Sequence, residues 1–197
     1  KVLWGGLLKS RKSAALPGAK IYPPTLTNSD LANIKIAKEM GVTGVMQPFV
    51  RDHSDLERVK EALREAGAED IRLFAKIENM DGVRKLEKLL PAADEIVIAR
   101  GDLGNAVHLW DLPGVQRQIS EKCRAAGKPF MVVTQMLASM ERSPVPTRAE
   151  VNDIFHAVMD GAASIMVTGE TAVGDYPVEV IRYMVNTVRS AEKEENR

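Results

Sequence analysis

Short apolar runs alternate with amphipathic segments along most of this chain. Residues 71–77 and 95–99 are mostly apolar, which is typical of strands whose two faces are both covered. Residues 52–66 instead place Leu56, Val59 and Leu63 on one helical face. Because strand-like and helix-like segments follow one another five times with short links, the pattern predicts an α/β fold with a parallel sheet.

Capping residues indicate where several of the helices begin. Asn79 follows an apolar run, and Thr147 with Glu150 has the spacing of a capping box. Glycines follow several of the periodic segments, as they do after helix ends. We predict strands at residues 42–50, 71–77, 95–99, 130–134 and 164–167, and helices at about residues 27–40, 52–66, 79–90, 111–126, 147–160 and 175–192.

Polar residues stand at the C-terminal end of every predicted strand, which is where a (β/α)₈ barrel carries its active site. We therefore predict a parallel (β/α) barrel of TIM type, with about five of the eight βα units in this chain. An open doubly wound sheet is the alternative, because its ligands also bind at the carboxyl ends of strands. Five strands cannot close an eight-stranded barrel, so we expect a partner chain or further elements to cover the sheet edges.

Lys76, Glu78 and Asp102 are the chemically most informative residues. Residues two apart in a strand share a face, so Lys76 and Glu78 are expected to point the same way. Asp102 ends the next predicted strand, and parallel neighbours bring their C-terminal ends together. Two close carboxylates favour a cation between them, and oxygen ligands suit Mg²⁺ or Mn²⁺. The alternative is that these residues are ordinary charged strand ends at the surface.

Composition narrows the range of partners. Lys+Arg and Asp+Glu both number 27, so the net charge is zero and no general attraction to nucleic acid or to an anionic membrane follows. No apolar run approaches the length of a membrane span, and no signal peptide is visible. The single cysteine, Cys123, is interpreted as a packing residue and fits a reducing compartment, so we expect a cytoplasmic protein. Because the chain begins with Lys1 in the middle of a pattern, we expect it to be part of a longer or processed chain.

Eight motifs occur in an order and at spacings that resemble the pyruvate kinase family. They are GGLLKSRKSAALPG, AKIEN, ARGDLG, AGKP, TQMLASM, PTRAE, DGA and GETAVGDYP. Each string is weak alone, but the ordered set is specific, and it extends over nearly the whole chain. The resemblance implies that residues 1–19 are an incoming segment from an inserted lid domain and that residues 20–197 are part of the catalytic barrel.

The resemblance also implies roles for single residues. Glu78 and Asp102 would hold Mg²⁺ or Mn²⁺, in agreement with the inference from spacing. Lys76 would face the transferring phosphoryl group and the enolate oxygen. The backbone N–H groups of Gly101 and Asp102 would bind the substrate carboxylate, and Thr134 would lie beside the substrate methylene. Family members also use a monovalent cation, K⁺, whose family ligands are absent from this sequence.

Two further motif residues are given supporting roles. Glu170 is interpreted as closing a loop or capping a helix, and Arg100 as forming an orienting ion pair. The chain departs from the family pattern at Pro48, where serine is usual. It departs again at residues 105–111, which follow the GDLG motif.

The resemblance implies phosphoryl transfer from phosphoenolpyruvate to ADP, which gives pyruvate and ATP in glycolysis, by a homo-oligomeric enzyme. A metal-dependent lyase or aldolase that acts through a pyruvate enolate is the first alternative, because it needs no nucleotide-binding groups. A non-catalytic remnant of the barrel is the second alternative. Fold alone does not choose among these functions.

Overall fold

Five strands form one parallel sheet in the computed structural model, which describes residues 5–7, 10, 16 and 21–195. The strands lie in chain order, so each pairs with the next, and the predicted parallel α/β architecture is confirmed. The strands are β1 (Gly44–Gln47), β2 (Arg72–Ile77), β3 (Glu95–Ala99), β4 (Phe130–Val133) and β5 (Ser164–Met166). Most of the predicted segment at residues 1–19 lies outside the described residues.

Helices follow the strands on one side of the sheet. In the described part of the chain they are α1 (Asn28–Ala37), α2 (His53–Glu65), α3 (Met80–Arg84), α4 (Leu86–Leu89), α5 (Arg100–Ala106), α6 (Leu112–Ala125), α7 (Arg148–Met159), α8 (Gly169–Ala172) and α9 (Pro177–Glu195), with 3₁₀ turns at Leu90–Ala92 and Ala138–Glu141. The caps predicted at Asn79 and at Thr147 with Glu150 are confirmed. No helix among these is long and apolar enough to cross a membrane.

The predicted helix at residues 79–90 is wrong as one continuous element. It divides at Lys85, whose φ of −99° and ψ of 9° end α3 before α4 begins. Gly82 lies close to the loop after β1, where an added Cβ would come 2.7 Å from the Val50 carbonyl oxygen. The missing side chain of Gly82 therefore lets α3 pack closely against the loop that leads out of β1.

The sheet separates two apolar layers. Its outer face packs against the helices and contains fully buried residues such as Leu73, Ile98 and Val132. Its inner face carries a smaller cluster that includes Val97 and Met131. All residues of β3 and β4 are buried, which explains why these strands are apolar on both faces apart from Glu95, whose carboxylate is paired with Arg72.

A buried ion pair fixes the segment that follows β1. Asp55 accepts hydrogen bonds from the Arg51 guanidinium at 2.7 and 3.1 Å and from the Thr25 hydroxyl at 2.6 Å. Burial raises the pKa of Asp55, but the hydrogen bonds from Arg51 and Thr25 outweigh it and hold the pKa at about 2. Because this value lies below that of an unfolded aspartate, the pair stabilises the fold above about pH 4 and loses its effect as the pH falls towards 2.

We expect Asp55→Asn to lower the free energy of unfolding at pH 6 and to make that free energy less sensitive to acid. The difference between wild type and variant should shrink by about 1–2 kcal/mol between pH 6 and pH 2.5, because only the wild type loses an ionised partner of Arg51. Urea unfolding at both pH values measures this difference. Asp70→Asn is the control, since the Lys38–Asp70 pair is exposed. An equal acid response in Asp55→Asn and wild type would contradict the prediction.

Candidate active site

A cavity of about 380 Å³ opens at the C-terminal ends of β2, β3, β4 and β5. Its walls include all five residues that the sequence proposed for the site, namely Lys76, Glu78, Gly101, Asp102 and Thr134. The described structure therefore brings these residues together on one rim of the sheet, although they come from three separate βα units.

Lys76 and Glu78 form an ion pair at the end of β2. The Lys76 Nζ lies 2.9 Å from Glu78 Oε1, and the two side chains are 25% and 3% exposed. The other carboxylate oxygen, Oε2, accepts a hydrogen bond of 2.7 Å from the Phe49 backbone N–H. Phe49 has a φ of 50°, a left-handed conformation that is uncommon for an aromatic residue. The strained turn after Pro48 thus directs a backbone donor at Glu78 and holds its carboxylate towards the cavity.

Asp102 lies beyond its strand rather than at its end. β3 ends at Ala99, and Asp102 belongs to the first turn of α5, where it is exposed. The prediction that Asp102 ends the strand is therefore wrong, although its position on the cavity wall is as expected. A carboxylate in the first turn of a helix is favoured by the helix dipole, and N–H groups in that turn have no acceptors within the helix. Asp102 and the preceding Gly101 both line the cavity.

Gly101 and Thr134 approach each other closely across the cavity wall. A Cβ added at Gly101 would lie 3.1 Å from the Thr134 Cγ2, so a larger residue would push Thr134 away. Thr134 has a φ of 85° and Gln135 a φ of 54°. A β-branched residue in the left-handed region is an outlier that costs about 1–3 kcal/mol and persists only where its surroundings hold it.

Arg100 forms hydrogen bonds with the loop that follows β4, which begins at Thr134. Its guanidinium donates to the Thr134 carbonyl from Nε at 3.2 Å and from Nη2 at 2.7 Å. Its Nη1 donates to Asp153 of α7 at 2.9 Å and lies 2.7 Å from the second carboxylate oxygen. The ion pair predicted for Arg100 is confirmed. Asp153 was missed, because it lies 53 residues along the chain and no local pattern links the two residues.

Glu170 joins the loops that follow β4 and β5. Its side chain is buried, with Oε1 accepting from the Leu137 N–H at 3.2 Å and Oε2 accepting from the Thr168 N–H at 2.8 Å. Thr168 is the residue before α8, and its own side chain makes no capping hydrogen bond to that helix. Of the two roles expected for Glu170, loop closure is confirmed. The neighbouring Thr168, which the sequence placed at a strand end without a role of its own, lines the cavity.

Comparison with known proteins decides the family. The family model described as "Pyruvate kinase, barrel domain" matches residues 1–181. The chain belongs to the pyruvate kinase family. Its curated relatives include the pyruvate kinases of Bacillus licheniformis, at 42% identity over 98% of this chain and 33% of the relative, and of Geobacillus stearothermophilus, at 42% identity over 93% and 31%. The pyruvate kinase of Dictyostelium discoideum is 42% identical over 94% of this chain and 36% of its own length.

The chain spans about a third of the length of these pyruvate kinases. Its five parallel strands are part of the TIM-type barrel of the family, and the predicted fold class is confirmed rather than the doubly wound alternative. In a barrel of this type the active site lies at the C-terminal ends of the strands. The cavity with Lys76, Glu78 and Asp102 occupies that end of the sheet.

The carboxylates of the cavity suit the divalent metal that the family implies. Glu78 and Asp102 both line it and offer oxygen ligands. Within the described ranges no group of three or more His, Cys, Asp or Glu residues could form an all-protein metal site. Mg²⁺ is usually bound by one or two carboxylates, with waters and substrate oxygens as the remaining ligands. Two carboxylates beside an open cavity therefore fit Mg²⁺ or Mn²⁺ better than a metal that needs a complete protein cage.

Proposed function

We propose that this chain carries part of the catalytic site of an enzyme that transfers the phosphoryl group of phosphoenolpyruvate to ADP. The observation that carries the proposal is the convergence of Lys76, Glu78, Gly101, Asp102 and Thr134 on one cavity. Family membership supports the same reaction, since curated relatives across the chain are named pyruvate kinase. The products would be pyruvate and ATP, as in glycolysis.

Glu78 and Asp102 are proposed as the protein ligands of Mg²⁺ or Mn²⁺. When bound, the metal supplies positive charge that neutralises the phosphoryl and enolate oxygens. The Phe49 N–H holds the Glu78 carboxylate in a fixed orientation, so little reorganisation is needed for it to act as a ligand. K⁺ is proposed as an additional cofactor, with ligands outside this sequence.

Lys76 is proposed to place its ammonium beside the transferring phosphoryl group. As the bond between phosphorus and the enol oxygen breaks, negative charge develops on that oxygen, and a fixed positive group stabilises it. The phosphoryl group is received by a terminal phosphate oxygen of ADP. Since the Lys76 side chain is only 25% exposed, its charge is less screened than a surface lysine would be.

Gly101, Asp102 and Thr134 are proposed to position the rest of the substrate. The N–H groups of Gly101 and Asp102, in the first turn of α5, would bind the substrate carboxylate, and the missing side chain of Gly101 allows close approach. Thr134 would lie beside the methylene carbon, which receives a proton when the enolate becomes pyruvate. Its left-handed backbone and its contact distance to Gly101 support a fixed position on the cavity wall.

The experiment is a coupled assay of the full-length protein, with lactate dehydrogenase reporting pyruvate. We expect NADH oxidation that requires phosphoenolpyruvate, ADP and Mg²⁺ together. Pyruvate released from a larger 2-oxo or hydroxy acid without ADP would overturn the proposal and indicate a lyase. Metal binding with no pyruvate from either substrate would overturn it and indicate a non-catalytic protein.

The proposal also includes the assembly of the enzyme, the role of Cys123 and the cellular location. The strands β1 and β5 form the edges of the described sheet, and unpaired edges need cover from a partner chain or from elements outside the described residues. Homo-oligomeric assembly stays a prediction that light scattering can test. Burial raises the pKa of the Cys123 thiol to about 12, which supports a packing role rather than a nucleophilic one. A cytoplasmic location stays a prediction.

A further inference from the structure

We propose that Arg100, held by Asp153, is a positioning residue that fixes Thr134 in the conformation in which it lines the active-site cavity. Arg100 itself does not line that cavity, so it would act on the substrate through Thr134. The inference rests on the proposed function, because its consequence for turnover depends on the role given there to Thr134.

Thr134 needs an external restraint. It and Gln135 are successive non-glycine residues with φ values of 85° and 54°. Threonine is disfavoured in this region because its branched side chain clashes with the backbone, and the sequence supplies neither glycine nor asparagine at either position. The backbone of this loop would therefore relax towards an ordinary conformation unless contacts from outside oppose it.

Arg100 makes the contact that opposes this relaxation at Thr134 itself. Two guanidinium N–H groups converge on the Thr134 carbonyl oxygen, at 2.7 and 3.2 Å. Nη2 also lies 2.9 Å from the Met136 sulfur, so the same group bridges the residues on either side of Gln135. A planar guanidinium offers several donors in a fixed geometry, which the single ammonium of lysine cannot reproduce.

Asp153 fixes the guanidinium in turn. Its carboxylate lies 2.7 Å from Nη1, and the Arg100 and Asp153 side chains are 13% and 33% exposed, so the pair is largely protected from water. Its helix, α7, is joined to the same loop by Glu150, which accepts from the Ser139 N–H at 2.7 Å. Asp153 therefore stands on an element whose position relative to the loop is already fixed.

The next segment of the loop is held by different contacts. Met136 and Leu137 are fully buried, and the Leu137 N–H donates to Glu170. These contacts would preserve the loop from Met136 onwards if Arg100 were changed. The effect of an Arg100 variant should therefore be confined to Thr134 and Gln135, and it should alter catalysis more than folding.

The experiment is a double-mutant cycle in the full-length protein, with Arg100→Lys, Thr134→Ala and the double variant. We expect Arg100→Lys to lower kcat roughly 10- to 100-fold, as the loss of a charge-assisted hydrogen bond would, with the KM for phosphoenolpyruvate changed by less than about threefold. In the Thr134→Ala background the same change should lower kcat less than about threefold, because the residue it positions is gone. Arg117→Lys is the matched control, since Arg117 forms an exposed pair with Glu121 on α6.

A second measurement does not depend on turnover. Hydrogen–deuterium exchange of the Thr134 and Gln135 amides should be at least about threefold faster in Arg100→Lys and in Asp153→Asn than in wild type, while the Leu137 amide keeps its exchange rate and the melting temperatures stay near that of the Arg117→Lys control. Asp153→Asn keeps Arg100 and covers the case in which Arg100→Lys fails to fold. Unchanged exchange, or an equal loss of kcat in both Thr134 backgrounds, would overturn the inference. If the wild type makes no pyruvate from phosphoenolpyruvate, the proposed function fails and the exchange result alone decides the positioning role.

Discussion

Lys76→Met is expected to lower pyruvate formation by roughly 10²–10³-fold or more, the scale found when one group that stabilises developing charge is removed. The ammonium of Lys76 is proposed to act on the breaking bond, where negative charge grows between the ground state and the transition state. Methionine has a similar length but no charge, so the variant removes stabilisation of the transition state with little change in shape.

The same variant should leave metal binding nearly intact. Lys76 contributes no ligand, and in this structure its Nζ forms an ion pair of 2.9 Å with Glu78 Oε1. Removing the ammonium takes positive charge away from a proposed metal ligand, so the affinity for Mn²⁺ should stay the same or rise slightly. The coupled assay and a Mn²⁺ titration measure the two effects separately.

Lys88→Met is the control for this experiment, because Lys88 is an exposed lysine of α4 away from the cavity. It should change neither turnover nor metal affinity. Normal turnover in Lys76→Met would remove Lys76 from the mechanism. A severe loss of Mn²⁺ affinity in the same variant would show that Lys76 organises the metal site rather than the phosphoryl group.

The strands could be predicted because buried strands appear in the sequence as short, mostly apolar runs. β3 has the predicted bounds, and its residues are buried on both faces, so each position had to be compatible with burial. Parallel order then follows from the alternation with helices, and it brings Lys76 and Glu78 to the same end of the sheet as Thr134. The residues of the candidate site could therefore be predicted from the sequence, but the distances between them could not.

The short helices of the site could not be predicted in the same way. α5 contains Gly101 and Gly104 and has little intrinsic helix propensity, yet it is helical because Leu103 packs fully buried beneath it. Burial of the Leu103 side chain therefore outweighs the low helix propensity of this segment. As a result, Asp102 lies in a helix and not at the end of a strand. The first turn so formed is what places backbone donors beside the proposed metal ligand.

The strained turns also leave no sequence signal. Left-handed backbone is usually marked by glycine or asparagine, but here it occurs at Phe49, Thr134 and Gln135. Distant groups stabilise or use these conformations: Arg100 donates to Thr134, and the Phe49 N–H donates to Glu78. Hydrogen bonds between residues that are far apart in the chain depend on the complete fold. The sequence therefore shows which residues are present but not which of them form hydrogen bonds with one another.

Asp102→Asn is expected to weaken Mn²⁺ binding by at least about 100-fold, since even residues that only orient metal ligands contribute about 10- to 100-fold to affinity. Asparagine preserves the size and one oxygen of the side chain but brings no charge. With Glu78 already paired to Lys76, the net charge of these three groups changes from minus one to zero, and the site loses its attraction for a dication.

Asp102 is a better choice for this experiment than Glu78. Glu78 is buried between Lys76 and the Phe49 N–H, so Glu78→Gln would leave a partly buried ammonium without its partner and would disturb the turn as well. Asp102 is exposed in the first turn of α5, and its replacement should leave the melting temperature within a few degrees of wild type.

The measurement is an electron paramagnetic resonance titration of free Mn²⁺ with wild type, Asp102→Asn and the control Asp111→Asn. Asp111 is a nearby exposed aspartate whose side chain makes no capping hydrogen bond at the start of α6, so its variant should bind Mn²⁺ like wild type. Equal affinity in Asp102→Asn and Asp111→Asn would exclude Asp102 as a ligand. A selective loss in Asp102→Asn, together with the retained affinity of Lys76→Met, would assign the two charges of the cavity to different tasks: the carboxylate to the metal and the ammonium to the phosphoryl group.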